Sequence, residues 1–186
     1  MPYEYNVEKA KRFLKQAGYP EGKGLPPITY DVRDNSATNR QQAEFIQGEL
    51  EKIGIKVDVM LNTFPGFLNK ARTGKLQFWQ DGWAMDYPDA ENSLQLLISK
   101  NHPPGPNSTY YNNKEFDDLF DKVKSMSDGP EKFALMVRME NIIHRDLPWI
   151  MQYYARNYIL YHRRLKNYRY SDLVSNYMKY LRLSDQ

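Results

Sequence analysis

The chain of 186 residues contains no cysteine. That excludes a disulfide framework, a thiolate zinc site and a cysteine nucleophile. Only three histidines occur, His102, His144 and His162, and none forms an H-x-x-x-H or H-E-x-x-H pair, so a histidine-based metal site is not expected. His144 falls at the end of a helical pattern, where it can bond the last carbonyls. No run of about 18 apolar residues exists to cross a bilayer. The sequence lacks G-x-S-x-G, G-x-x-x-x-G-K-[ST] and G-x-G-x-x-G, which removes the common nucleophile elbow and phosphate cradles. Gly22-Lys23-Gly24 opens no helix, so it is no phosphate loop either. The first residues, Met1-Pro2-Tyr3-Glu4-Tyr5, have neither a basic stretch nor the apolar core of an export leader.

What is present is ordinary globular composition rich in one aromatic. Hydrophobic residues make up 41% and charged residues 26%, with a net charge of +3, too mild to argue for nucleic acid alone. Tyrosines number fifteen, against eight phenylalanines and three tryptophans. Tyrosine buries a ring and keeps a polar tip, which suits half-buried sheets and wet pockets. The length is enough for one sizeable core in one domain.

Breaker and periodicity signals divide the chain. Asn6 can cap a helix over residues 7–17, with Ala10, Phe13, Leu14 and Ala17 on one face and Gly18 as its stop. A Pro/Gly loop follows, then a strand over residues 28–32. Ser36 or Asn35 can cap a helix over residues 37–53 with the stripe Ala43, Phe45, Ile46, Leu50 and Ile53. Ile55, Val57, Val59 and Leu61 alternate as a strand. Strand, helix and strand make a βαβ unit with a parallel pair. A helix over 64–73, a third strand over 76–84, a short helix over 90–98 capped by Asp89, and helices over 114–125 and 130–145 complete an α/β alternation. The last helix has proline in its first turn. Residues 149–161 read as a long strand, and 177–183 as another.

Acids cluster at the end of the third strand: Asp81, Asp86, Asp89 and Glu91. Ligands of open α/β sheets sit beyond the carboxyl ends of the strands. Paired carboxylates there can serve glycoside hydrolysis, which needs both on one cleft about 5 to 9.5 Å apart. Asp81 and Asp86 are an odd number apart, so on a continuous strand they face opposite ways. Asp86 otherwise reads as a turn residue before Tyr87-Pro88. Tyr153, Tyr154, Arg156, Tyr158, Tyr161, Arg163, Arg164, Tyr168 and Arg169 interleave rings and cations. That pattern fits a single-stranded nucleic-acid platform, or a strand with snorkelling arginines; the strand is preferred.

The segment Gly82-Trp83-Ala84-Met85-Asp86-Tyr87-Pro88-Asp89-Ala90 resembles the G-W-x-A-D-Y-P-D-P signature of the dipeptide- and oligopeptide-binding receptors of ABC importers, family 5 of the extracellular solute-binding proteins. Further stretches fit in the same order. Asn6-Val7-Glu8-Lys9-Ala10-Lys11 with Ala17-Gly18-Tyr19-Pro20 resembles its P-E-K-A-K…A-G-Y-P helix. Ile46 with Leu50 through Val57 resembles its helix–G-I-x-V step. Asn112 and Glu115-Phe116-Asp117, Asp146-Leu147-Pro148, and Lys166-Asn167-Tyr168 match later motifs. Met85, Ala90 and Asn167 depart from the usual Ala, Pro and Gly.

The resemblance implies a periplasmic-binding-protein-like α/β lobe: a mixed, mostly parallel sheet flanked by helices. It implies a single C-terminal lobe over residues 1–186, with strands in 146–186 crossing back toward an N-terminal lobe. That lobe and an export leader would precede Met1, which implies a periplasmic or extracellular protein. The implied function is binding of peptides between two lobes and delivery to an ABC permease, with no catalysis, no cofactor and no nucleic acid. Members that carry nickel chelates or oligosaccharides share much of the signature. By resemblance, Asp86 takes the ligand's α-ammonium, and Gly82, Trp83 and Ala84 pair with an extended peptide. Phe64 forms an aromatic wall, and Asn107 is a polar loop position near the pocket.

Overall fold

The structure is a computed structural model, and it describes residues 3–154, 156, 158–171, 176 and 178–184. Helix α1, Val7–Gln16, starts where Asn6 accepts a bond from the Lys9 amide at 2.8 Å. It ends at Gly18, whose φ of +92° is a left-handed conformation suited to glycine. Strand β1 is Ile28–Val32 and helix α2 is Ala37–Glu51, capped by the Ser36 hydroxyl. Strand β2, Val57–Leu61, pairs in parallel with β1 in the register Ile28↔Val57 to Val32↔Leu61. Helix α3, Phe64–Arg72, then leads to β3, Phe78–Trp79, which pairs in parallel with β1 on its other side. The sheet order is β2-β1-β3.

As the central strand, β1 is covered on both faces, so Tyr30, Asp31 and Val32 are all buried. Asp31 is the unusual member. Its carboxylate is neutralised by the Lys70 ammonium at 2.5 Å and accepts from Asn62 Nδ2 at 2.9 Å. Tyr30, Val32, Ala43 and Val57 form one apolar cluster, backed by Ile46, Leu50, Ile55, Val59 and Phe78. Phe45, placed on the apolar stripe by its sequence spacing, points to solvent.

The second half is helical. A short helix α4, Glu91–Leu94, runs into single turns at Gln95–Leu97 and Ser99–Asn101. Helix α5, Lys114–Val123, is capped by Asn113, and helix α6, Pro130–Asp146, begins on its proline. Leu97, Ile98, Phe116, Leu119, Phe120, Val123, Met139, Ile142 and Ile143 make a second apolar cluster. Two cores therefore stand where chain length suggested one.

Three expectations are corrected. The third strand is two residues long, because the chain leaves β1 after Trp79 and Asp81 turns its carboxylate onto the Gly82 amide. Residues 149–161, among those described, pair with no strand and are mostly exposed; Ala155 and Asn157 lie outside the described residues. A strand without a partner gains no ladder hydrogen bonds. In the last stretch a single helical turn, Met178–Tyr180, precedes a two-residue strand β5, Arg182–Leu183, antiparallel to β4, Leu165–Lys166; Tyr177 lies outside the described residues. His144 also differs: its Nε2 meets the Glu140 carboxylate one turn earlier at 3.3 Å, not a terminal carbonyl.

Asp146 closes the helical half. Its carboxylate accepts from Arg145 Nε at 2.8 Å, Tyr111 Oη at 2.6 Å and Asn113 Nδ2 at 2.7 Å. The Arg145 bond foremost, then the Tyr111 hydroxyl, hold it at about 2, below the ordinary 3.8. A depressed carboxylate stabilises the fold fully above its unfolded value and loses that contribution as pH falls through its folded one. Solvent screening limits the effect to under about 1 kcal/mol. Urea unfolding of Asp146→Asn should therefore fall less steeply than the parent between pH 4 and pH 2. Parallel slopes in that window would remove the ion-pair account.

Candidate functional site

The carboxyl ends of the three parallel strands open on one edge. Arg33 follows β1, Asn62 and Thr63 follow β2 and lead into Phe64, and Gln80 and Asp81 follow β3. This is the edge on which open α/β sheets hold ligands. The Thr63 hydroxyl caps α3 through the Gly66 amide at 3.3 Å, which fixes Phe64 as the first residue of that helix. The Phe64 ring is 41% exposed, and the Arg33 guanidinium lies 4.6 Å from its centre. Arg33 also meets the Asp81 carboxylate at 3.5 Å. A cation held between a ring face and a carboxylate is oriented without being buried. Sequence reasoning missed Arg33, since a lone arginine after a strand carries no signal.

Beyond β3 the chain runs exposed and without secondary structure from Asp81 to Asp86. Among the described residues, the amide N–H groups of Trp83, Ala84 and Met85 have no hydrogen-bond partner. Such a segment is a ready template for an added strand. Trp83 and Met85 stand 48% and 51% exposed, well above ordinary burial for such side chains.

The disorder that exposure invites is checked by one buried side chain, Asn92 of α4, which is 1% exposed. Its Oδ1 accepts from the Trp83 indole N–H at 2.8 Å and from the Asp86 amide at 3.2 Å. Its Nδ2 donates to the Asp86 carboxylate at 3.3 Å. One amide group thus sets both the ring and the acid, while leaving the Asp86 side chain at the surface. Asn92 was not singled out in the sequence; the only signal was an amide residue six positions after Asp86.

Asp89 is engaged in structure one residue before Ala90, which stands at the N-cap of α4 in place of the expected Asp89. Its Oδ1 accepts from the Glu91 amide at 2.9 Å, and its Oδ2 meets the Lys132 ammonium at 2.5 Å. The Lys132 bond and then the Glu91 amide hold its carboxyl below the usual range. Asp81 and Asp86 have separate partners, Arg33 and Asn92.

Asn107 lies apart from this edge in the structural sense that its side chain is fully buried. Its Nδ2 donates to the Ile98 and Tyr111 carbonyls at 3.0 and 2.9 Å. Its Oδ1 accepts from the Thr109 hydroxyl and the Tyr111 amide at 3.0 and 3.2 Å. Gly82, Trp83, Ala84 and Asp86 are thus in the exposed segment after β3, Phe64 opens α3 after β2, and Asn107 is within a loop. In the tyrosine- and arginine-rich stretch, Tyr153 is tied back, its hydroxyl accepting from Gln42 and Gln80 at 3.1 and 3.3 Å. Tyr161 and Tyr168 pack ring on ring at 4.8 Å.

Comparison with known proteins adds an independent line. Residues 1–105 match the model of the bacterial extracellular solute-binding proteins, family 5, middle region. The chain is 28% identical over 170 residues to heme-binding protein A of Haemophilus influenzae, covering 89% of this chain and 30% of that protein. It is 31% identical over 157 residues to the glutathione-binding protein GsiB of Escherichia coli, covering 80% and 30%. Among solved structures, the periplasmic binding protein DppA of Helicobacter pylori, in complex with the peptide STSA, superposes with a TM-score of 0.71 at 36% identity, over 80% of this chain and 28% of that one. The oligopeptide-binding protein AppA of Bacillus subtilis gives a TM-score of 0.84 over 97% of this chain and 38% of its own; at 24% identity it speaks for the fold. The chain therefore spans about a third of the length of these relatives. With more than half its residues under the family model, this chain belongs to the bacterial extracellular solute-binding proteins of family 5.

Proposed function

We propose that this lobe forms one wall of a peptide-binding cleft in a periplasmic receptor that hands its ligand to an ABC permease, a second lobe supplying the opposite wall. The observation that carries this reading is the exposed, unpaired edge at Trp83, Ala84 and Met85 leading directly to the Asp86 carboxylate. An extended peptide pairs main chain to main chain on such an edge, which gives affinity with little side-chain selectivity. Asp86 receives the α-ammonium in a charge-assisted bond. Phe64 and Trp83 supply ring faces, and Arg33 offers the opposite charge farther along the same edge. Hinge closure then removes water from both walls. A solute-binding family performs no bond chemistry, so Asp81 and Asp86 are not a hydrolytic pair.

The edge is open to solvent on the side that a second lobe would cover. The lobe alone therefore forgoes the desolvation that strengthens a charged bond. Calorimetry of this chain with di- to pentapeptides should give dissociation constants no tighter than about 1 mM. A micromolar fit would show that one wall suffices and would sink the half-cleft reading.

A second reading follows from the 31% identity to the glutathione-binding relative. Glutathione is itself a tripeptide with a free ammonium, which suits Asp86. Competition between glutathione and trialanine in the two-lobed receptor distinguishes a dedicated glutathione site from a general peptide edge.

A further inference from the structure

Lys132 lies on the first turn of α6, in the helical half, and is 7% exposed. A buried ammonium is costly unless paired, and this one has two carboxylates: Asp89 at 2.5 Å and Asp128 at 2.9 Å. Asp128 is one turn away on the same stretch and is exposed. Asp89 is 43 residues away in sequence and belongs to the turn beyond the ligand edge. The Asp89 carboxylate holds the Glu91 amide, and its carbonyl accepts from the Asn92 amide at 3.0 Å. Asn92 in turn holds the Trp83 indole and both the amide and the acid of Asp86. A continuous path of hydrogen bonds thus runs from α6 to the two side chains that the proposed cleft presents.

Among the described residues no other ion pair joins this turn to α5 or α6; beyond it, Leu94 at the end of α4 packs on the second core. The 81–88 stretch is exposed throughout, and among the described residues the Tyr87 bonds stay within the turn, its hydroxyl meeting Glu91 and its carbonyl accepting from the Asp89 amide. Without the Lys132 link, Asp89 would lose its one cationic partner among the described residues, and α4 would lose the ion pair at its first turn. We propose that Lys132 is a positioning residue for the ligand edge: through Asp89 it fixes the turn 87–92, and through Asn92 it sets the orientation of Trp83 and Asp86. The proposal builds on the reading of Asp86 as the ammonium partner, and gives that site its rigidity from a helix that never touches ligand.

The test uses the whole 186-residue chain and has one arm that needs no ligand. The Trp83 indole N–H resonance, assigned with Trp83→Phe, reports its bond to Asn92. Lys132→Met should shift that resonance and speed its hydrogen exchange about tenfold, while Lys132→Arg keeps both near the parent. Asp89→Asn, which retains an acceptor for Glu91 but loses the charge, should move them in the same direction. It decides the matter if Lys132→Met does not fold. A lowered melting temperature with the Trp83 resonance and exchange unchanged would overturn the proposal, leaving Lys132 a structural ion pair only.

The second arm titrates trialanine and N-acetyl-trialanine by chemical shift. The parent should prefer the free amine by about two- to threefold, the size left to an exposed ion pair, and Lys132→Met should bring that preference close to parity. An undiminished preference in Lys132→Met counts against positioning. If the parent itself shows no preference, the ammonium role of Asp86 fails, and the indole arm still decides the Lys132 path.

Discussion

Asp86→Asn should weaken binding of a free-amine peptide by about 10- to 100-fold in the receptor with both lobes closed, and change binding of its N-acetylated form by less than about twofold. The size follows from a charge-assisted bond worth about 1.5–3 kcal/mol net, at about 1.4 kcal/mol per factor of ten. The substitution keeps the shape and one acceptor, so Asn92 retains a partner and the turn keeps its form. What disappears is the negative charge opposite the ammonium. In the open lobe the same change should cost less than about threefold, because an exposed ion pair is worth little. Calorimetry with the two peptides checks both statements. Equal losses for the free and acetylated peptides would mean that Asp86 shapes the turn and does not hold the amine.

Asn107→Ala should destabilise the fold by about 3 kcal/mol. All four of its side-chain hydrogen bonds end on one loop, joining the Ile98 and Tyr111 backbones beside the second core. Alanine leaves the Tyr111 amide without its partner and takes one of two contacts from each carbonyl, Ile98 keeping the Asn101 amide and Tyr111 keeping His102, in a site closed to water. For a chain of this length the loss corresponds to a melting temperature lower by roughly 6–12 °C. Asn107→Asp should also destabilise, since a carboxylate cannot donate to the two carbonyls. Circular dichroism melts suffice. A shift of less than about 1 °C for Asn107→Ala would refute the stapling role and return attention to a role toward ligand.

Much of the architecture was legible because it rests on local rules. Asn6, Ser36 and Pro130 announce helix starts, Gly18 announces a stop, and the alternation from Ile55 to Leu61 announces a strand. The βαβ order followed from those elements. What local rules could not supply was partnership. Residues 76–84 carry strand-forming side chains, yet only Phe78 and Trp79 find β1. The aromatic run after Trp149 has strand propensity but, among its described residues, no neighbour to pair with.

The site shows the same division. The motif from Gly82 to Asp89 singled out the exposed stretch after β3 on which the proposed site rests. Its supports, Asn92 and Lys132, were silent, because their meaning is a set of distances across 43 residues and more than one element. Arg33 was silent for the same reason; its neighbours are Phe64, which opens α3, and Asp81, which follows β3.

The unpaired edge after β3 has one further consequence, for the lobe in the company of its own copies. A segment that accepts any extended chain also accepts another lobe, and two such edges meeting would start a growing sheet. The sequence opposes this within a few residues. Gly82 weakens strand propensity, Pro88 withholds an amide from any ladder, and Asp86 brings like charges together when two edges meet antiparallel. The acid proposed to take an ammonium therefore also opposes the pairing of two lobes, and Asp86→Asn should be accompanied by a greater tendency of concentrated lobe to self-associate.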